Sequence, residues 1–221
     1  MPVTLGEEIM LLSLDDESGV AKERQAAGWA VAGGIVLELV MAGRLSVDGG
    51  RLAVTDRTPT GTGLLDDRLG LIDAWAAKKR NPPKVTDWLT KDYGKAVSAT
   101  INSLRDRGLV SEEQRRVLGM FPVRRFPEAD GATERELRDR LTALVLHNAA
   151  PDDRSAGLIA LIHAAKLHRL AFPELPRKQV SPRMEEIADG QWAGDSVRTA
   201  IRNMQAAMAA VTVVTTMTVV N

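Results

Sequence analysis

Lys22-Glu23-Arg24-Gln25-Ala26-Ala27-Gly28-Trp29-Ala30-Val31-Ala32-Gly33-Gly34-Ile35-Val36-Leu37-Glu38-Leu39-Val40-Met41-Ala42 is the stretch on which the fold turns. Its start is charged and its later half is nearly all apolar. A helix that is hydrophobic on most faces belongs inside a domain, with other elements packed around it. Gly33-Gly34 weakens helix propensity by about 1 kcal/mol per glycine. Such a pair in mid-helix marks a point of close packing. The segment predicts a buried central helix from about Lys22 to Ala42.

The flanking sequence supplies partners for it. Upstream, Thr4 and Glu7 form a capping box before Leu5, Ile9 and Leu12, which predicts a first helix from Leu5 to Leu14. Asp15 to Gly19 reads as a turn. Downstream, Leu45-Ser46-Val47 and Leu52-Ala53-Val54 flank Asp48-Gly49-Gly50, the pattern of a tight β-hairpin. Leu65, Leu69, Ile72 and Trp75 predict a helix from Leu64 to Lys79, broken by Asn81-Pro82-Pro83. A further helix spans Val85 to Arg107, with Gly94 as a break and Gly108 at its end.

Leu109-Val110 and Val117 to Phe126 read as a second hairpin. Thr133 and Glu136 read as another capping box, before a helix that Pro151 ends. Arg154 to Phe172 is read as one helix, Pro173 to Pro182 as a basic connection, Arg183 to Ala188 as a short helix. Gln191 to Val220 is the last helical stretch. Its apolar end, Ala206 to Val220, is shorter than the ~20 residues a spanning helix needs, and reads as a core helix or terminal strand. No linker divides the chain. The expectation is a mostly α fold: a single helical domain over residues 1–221, around a central helix bundle, with one or two β-hairpins.

The chain has 221 residues, 29 Lys and Arg, 29 Asp and Glu, three His and no Cys. Without thiols there is no disulfide scaffold and no thiolate metal site. Zero net charge removes the footprint of a non-specific nucleic-acid binder. The opening residues lack the basic start and apolar run of a secretory leader, so the expected location is cytoplasmic. There is no phosphate loop, no Gly-x-Gly-x-x-Gly and no nucleophile elbow. His163 and His168, five apart, should diverge around a helix, and no cofactor or metal is expected. The acid pairs Glu7-Glu8, Asp15-Asp16, Asp66-Asp67 and Asp152-Asp153 fall at helix starts or turns, where the helix dipole favours carboxylates. No enzymatic activity is expected.

Two features point to a binding function. In Arg115-Arg116-Val117-Leu118-Gly119-Met120-Phe121-Pro122-Val123-Arg124-Arg125-Phe126, two arginine pairs bracket an apolar tip. Met120, Phe121, Val123 and Phe126 suit insertion into a membrane or contact between subunits of a homo-oligomer. The arginines suit anionic headgroups, at about 1 kcal/mol each near such a surface. The second feature is basic density: Lys78-Lys79-Arg80, Lys84, Lys91, Lys95, Arg177-Lys178 and Arg183. Lys91 and Lys95, one helical turn apart, are candidate headgroup ligands with Lys22, Arg24, Arg124 and Arg125.

The chain also resembles the Golgi phosphoprotein 3 family. The resemblance rests on Val3-Thr4-Leu5-Gly6-Glu7-Glu8-Ile9-Met10-Leu11-Leu12 with Asp15 to Gly19, and on Leu37-Glu38-Leu39 with Gly43-Arg44-Leu45. It continues through Pro59-Thr60-Gly61-Thr62-Gly63-Leu64-Leu65-Asp66, Arg107-Gly108-Leu109-Val110 and the Leu158 to Phe172 segment, in the family's order. The chain is similar to a compact prokaryotic-type member. The resemblance implies a helical fold and a peripheral membrane protein that reads phosphatidylinositol 4-phosphate. It also implies an exposed apolar hairpin for insertion and oligomer contacts. The family's headgroup pocket uses a Trp and an Arg from the second helix and two basic residues from the helix before the hairpin. Those columns fall here on Glu23, Ala32, Gly94 and Val97, so none is retained. Lys22, Arg24, Lys91 and Lys95 are their neighbours.

The expected function is thus a peripheral membrane protein that binds anionic phospholipid. A protein-binding scaffold is the alternative. A winged-helix DNA regulator is a weaker one, because a wing tip of Met-Phe-Pro-Val lacks the basic and polar groups that DNA contact requires.

Overall fold

The computed structural model describes residues 3–14, 23–117, 121–125, 129, 131–189 and 193–218; side chains are described for all of these except 113–117, 121–125 and 212–218. Helix α2 (Arg24–Met41) is the centre, and every residue from Ala27 to Leu37 is buried. Around it pack α1 (Leu5–Ser13), α4 (Val85–Asp106), α6 (Asp153–Ala164) and α9 (Asp195–Thr218). The glycine pair sits at close packing on both sides of the helix. A Cβ on Gly34 would lie 3.0 Å from the Gly6 nitrogen and 3.1 Å from the Leu5 carbonyl carbon of α1. One on Gly33 would lie 2.9 Å from Leu161 of α6.

Helix α1 is buried along its whole length, including Glu7 and Glu8. The Thr4–Glu7 capping box forms, with Thr4 N donating to Glu7 Oε2 at 2.7 Å and Glu7 N to Thr4 Oγ1 at 3.2 Å. Glu7 does more than cap. It also accepts from Arg107 Nη1 and Ser103 Oγ, both at 2.8 Å. Glu8 accepts from Arg140 Nη2 at 2.7 Å and pairs with Arg154. Arg154 in turn pairs with Glu38, which accepts from Leu5 N at 2.6 Å. Burial raises the Glu38 carboxyl above its usual range, against the pull of Arg154. Buried carboxylates need such partners. The network joins α1 to α2, α4, α6 and α5 (Ala132–Leu146).

Strands β1 (Leu45–Asp48) and β2 (Arg51–Val54) form the first hairpin, with Gly49 and Gly50 at φ 53° and 72° in its turn. The turn docks on α9, where Gly50 N donates to Asn203 Oδ1 at 2.9 Å. Helix α3 (Gly63–Ala76) lies against α4. Strands β3 (Glu113–Val117) and β4 (Phe121–Arg125) form the second hairpin. Helices α7 (His168–Ala171) and α8 (Arg177–Ala188) complete the described fold. It is mostly α with two two-stranded hairpins.

Several boundaries differ from the sequence reading. Gly94 does not break α4, because the buried row Trp88, Leu89, Ala96, Thr100 and Leu104 continues on both sides of it. Thr133 caps nothing: α5 starts at Ala132, after Gly131 in the left-handed region, and ends at Leu146, before Pro151. The segment read as one helix to Phe172 divides, because Lys166 takes φ 60° and closes α6. Helix α8 begins at Arg177, inside the supposed connection. It carries Pro182 in its interior, with Val180, Met184 and Ile187 buried on either side. The last helix starts at Asp195 and buries Ala207, Met208 and Val211. Among the described residues, no helix is long and apolar enough to cross a membrane.

Candidate lipid-headgroup site and hairpin

Helix α4 presents the first candidate surface. Lys91 and Lys95 are exposed, one turn apart. Between them Asp92 turns inward and meets Arg68 of α3. Arg68 Nη1 donates to Asp92 Oδ1 at 2.8 Å, and Nη2 donates to the Lys95 carbonyl at 2.9 Å. Both partners are buried. Burial pushes the Asp92 carboxyl up to about 6, opposed first by Arg68 and then by Lys95 and Lys91. At neutral pH the Arg68–Asp92 pair cancels itself. Lys91 and Lys95 then carry the net positive charge of this face, on backbone that Arg68 holds.

The start of α2 abuts the same region. A Cβ on Gly28 would lie 3.1 Å from the Tyr93 ring and 3.4 Å from Val97. The buried Trp29 ring lies 6.1 Å from that of Tyr93. Arg24 is exposed and one turn, about 6 Å, before Gly28. Arg24 thus stands one turn before the point where α2 meets the Tyr93 region of α4. Lys22 lies outside the described residues. Of the family's pocket columns, Glu23 is exposed, Ala32 is buried, Val97 is half-buried and Gly94 faces open space. No cation comes from any of them.

The second candidate is the β3–β4 hairpin. Its register sets Val117 opposite Phe121, Arg115 opposite Val123, Gln114 opposite Arg124 and Glu113 opposite Arg125. Met120 and Phe126 lie outside the described residues. At the base, Ala129 N donates to the Leu109 carbonyl at 2.9 Å. Among the described elements, β3 and β4 pair with each other and no helix packs on them as a layer. Helix α4 therefore carries the lysines in its first half and leads into the hairpin from its end. Lys95 to Asp106 is about 17 Å of helix.

His163 and His168 do not diverge as the spacing suggested. The break at Lys166 turns α7 back, and His168 Nε2 comes 3.3 Å from His163 Nδ1. Burial lowers both imidazoles below their usual range. Among the described residues, no group of three or more acids and histidines could hold a metal. Arg183 points inward, toward the Leu144 and Ala149 carbonyls, and belongs to the scaffold.

The sequence reading missed Arg68, Asp92 and Tyr93. A signal for Asp92 existed: an acid between two exposed lysines, on the apolar side of an amphipathic helix. Nothing in sequence pairs it with Arg68, 24 residues away.

A search of curated proteins gave no match. Residues 5–204 match the family described as Golgi phosphoprotein 3 (GPP34). The match runs from the first residue of α1 into α9 and takes in the α4 lysines and the hairpin, so the chain belongs to the Golgi phosphoprotein 3 family.

Proposed function

We propose that this protein is a non-enzymatic, peripheral membrane protein of the cytoplasm that binds anionic phospholipid headgroups. The observation that carries the reading is the arrangement of α4. Lys91 and Lys95 stand exposed over a buried, self-neutralised Arg68–Asp92 pair. Their charge is available to a phosphate, and the rigid backbone beneath them lowers the cost of ordering two flexible side chains. The family supports phosphatidylinositol 4-phosphate as the headgroup. The arginine-bracketed hairpin adds apolar insertion, worth roughly 1.5–3 kcal/mol for each fully buried large side chain. One copy binds weakly on those terms, and a homo-oligomer binds firmly through effective concentration.

Flotation with liposomes over a headgroup panel tests this. The double variant Lys91→Glu/Lys95→Glu should lose binding to anionic vesicles, and added salt should weaken the parent in the same direction. Deletion of 119–125 should lower association while leaving the helical circular dichroism intact. Unchanged flotation of the lysine double variant would remove Lys91 and Lys95 from the site. A deletion variant that binds normally but shrinks by light scattering would assign the hairpin to subunit contact instead.

A further inference from the structure

Four of the basic residues before α4 lie within residues 78–84, and the fold brings Arg51 beside them. Helix α3 ends beside the start of α4, where the Trp75 and Trp88 rings lie 5.3 Å apart. Lys79 folds back over Trp75, its Nζ 5.7 Å from the ring centroid. Lys78 and Arg80 flank it, exposed. The chain then returns to β2: Leu52 N donates to the Pro83 carbonyl at 2.9 Å, and Arg51 bridges Lys84. Arg51 Nη1 donates to the Pro82 carbonyl at 2.7 Å and makes no ion pair among the described residues. Five cations, one from β2 and four from the α3–α4 connection, thus meet at one corner.

That corner is continuous with the headgroup face. Lys84, Lys91 and Lys95 are seven and four residues apart, so all three fall on one face of α4 and span about 17 Å. Of the nearby acids, Asp48 stands exposed directly across the hairpin from Arg51, and two others are engaged elsewhere. Asp73 is engaged by Arg57 through two hydrogen bonds of 2.8 Å, and Asp92 is buried against Arg68. Asp87 alone stands exposed along the α4 face between Lys84 and Lys91. Leu71, 49% exposed, stands one turn before the half-buried Trp75 on α3.

We propose that Arg51, Lys78, Lys79, Arg80 and Lys84 form a second membrane contact, an electrostatic platform for anionic bilayer that acts without regard to headgroup identity. The inference rests on the peripheral-membrane reading above and adds to it. The spread of the platform's charge selects the partner. Its cations are spread over β2 and the connection between α3 and α4. A single headgroup cannot reach them all, and an acidic peptide would need matched spacing. A fluid bilayer supplies mobile charges that adjust to any spacing. Each cation near such a surface strengthens binding about fivefold. The platform would bring the chain to any anionic membrane and set its orientation, and Lys91 and Lys95 would then choose the headgroup.

The test uses phosphatidylcholine vesicles with and without phosphatidylserine, and no phosphoinositide. The full chain should bind in proportion to phosphatidylserine and release with salt. Lys78→Glu/Arg80→Glu/Lys84→Glu alters exposed side chains only, and Glu at position 84 suits the helix N-terminus. This triple variant should bind phosphatidylserine vesicles at least tenfold more weakly. It should keep the parent's preference for phosphatidylinositol 4-phosphate among vesicles of equal charge. A triple variant that binds phosphatidylserine vesicles like the parent would overturn the platform and leave the peripheral-membrane reading standing. A parent that binds no anionic vesicle would defeat both. Tight capture of polyglutamate with no phosphatidylserine binding would assign the corner to an acidic protein and overturn the proposal.

Discussion

Substituting Gly34 by alanine separates what glycine costs a helix from what it permits. In an open helix interior, Gly→Ala stabilises by about 1 kcal/mol through propensity alone. At Gly34 the new methyl would meet the Gly6 nitrogen at 3.0 Å, the Leu5 carbonyl carbon at 3.1 Å and the Leu5 Cβ at 3.2 Å. Two of these are backbone atoms and cannot rotate away. Helix α1 cannot slide off either, since Leu5 N is tied to Glu38 at 2.6 Å and Glu7 and Glu8 are tied to Arg107 and Arg140. Overpacking of this kind costs about 1–3 kcal/mol. Set against the propensity gain, this leaves a net loss of up to about 2 kcal/mol. Gly94 supplies the control. It lies inside α4 with nothing within 4 Å of an added Cβ, so Gly94→Ala should gain the propensity term alone. The two variants should move in opposite directions in thermal and urea unfolding followed by circular dichroism, by about 2–4 °C per kcal/mol for a chain of this size. A Gly34→Ala protein as stable as Gly94→Ala would refute the claim that α1 and α2 meet backbone to backbone.

Three further outcomes follow from the site. Gly94→Arg should fold normally and bind phosphoinositide vesicles more tightly, because it adds a cation to open space between Lys91 and Lys95; weaker binding in flotation would put the headgroup elsewhere. Asp92→Leu should cost about 3–5 kcal/mol in chemical unfolding by leaving Arg68 charged and buried, and the double variant Arg68→Met/Asp92→Leu should recover most of it. Stability should also depend on pH through two opposed groups. His163 and His168, lowered by burial, bind protons less readily folded than unfolded, so stability should fall as pH drops below about 6.5. Asp92, raised to about 6, does the reverse, so its contribution should rise as pH drops through that value. Replacing both histidines with glutamine should flatten the first slope in melting curves taken at a series of pH values.

The central helix and its glycine pair were legible because burial on nearly all faces leaves an unmistakable composition. The first hairpin was legible from Asp48-Gly49-Gly50, whose two glycines do take positive φ. What sequence could not show was set by contacts distant along the chain. Lys166 adopts a left-handed conformation with no glycine to announce it, and so His163 and His168 meet. Pro182 reads as a break, yet the buried side of α8 carries the helix through it. Glu7 and Glu8 look like ordinary first-turn acids; their burial against Arg107, Arg140 and Arg154 depends on three other helices. The lysines of α4 could be placed on one face by spacing. Their isolation from acidic partners could not, because it depends on Arg68 taking Asp92 inward.

Flotation of the parent chain with phosphatidylcholine vesicles, alone and carrying phosphatidylinositol 4-phosphate, decides whether the chain binds the headgroup. The proposed function requires association with the phosphoinositide vesicles, reduced by added salt and by Lys91→Glu/Lys95→Glu, and little association with phosphatidylcholine alone. A chain that stays in the soluble fraction with every vesicle would contradict it.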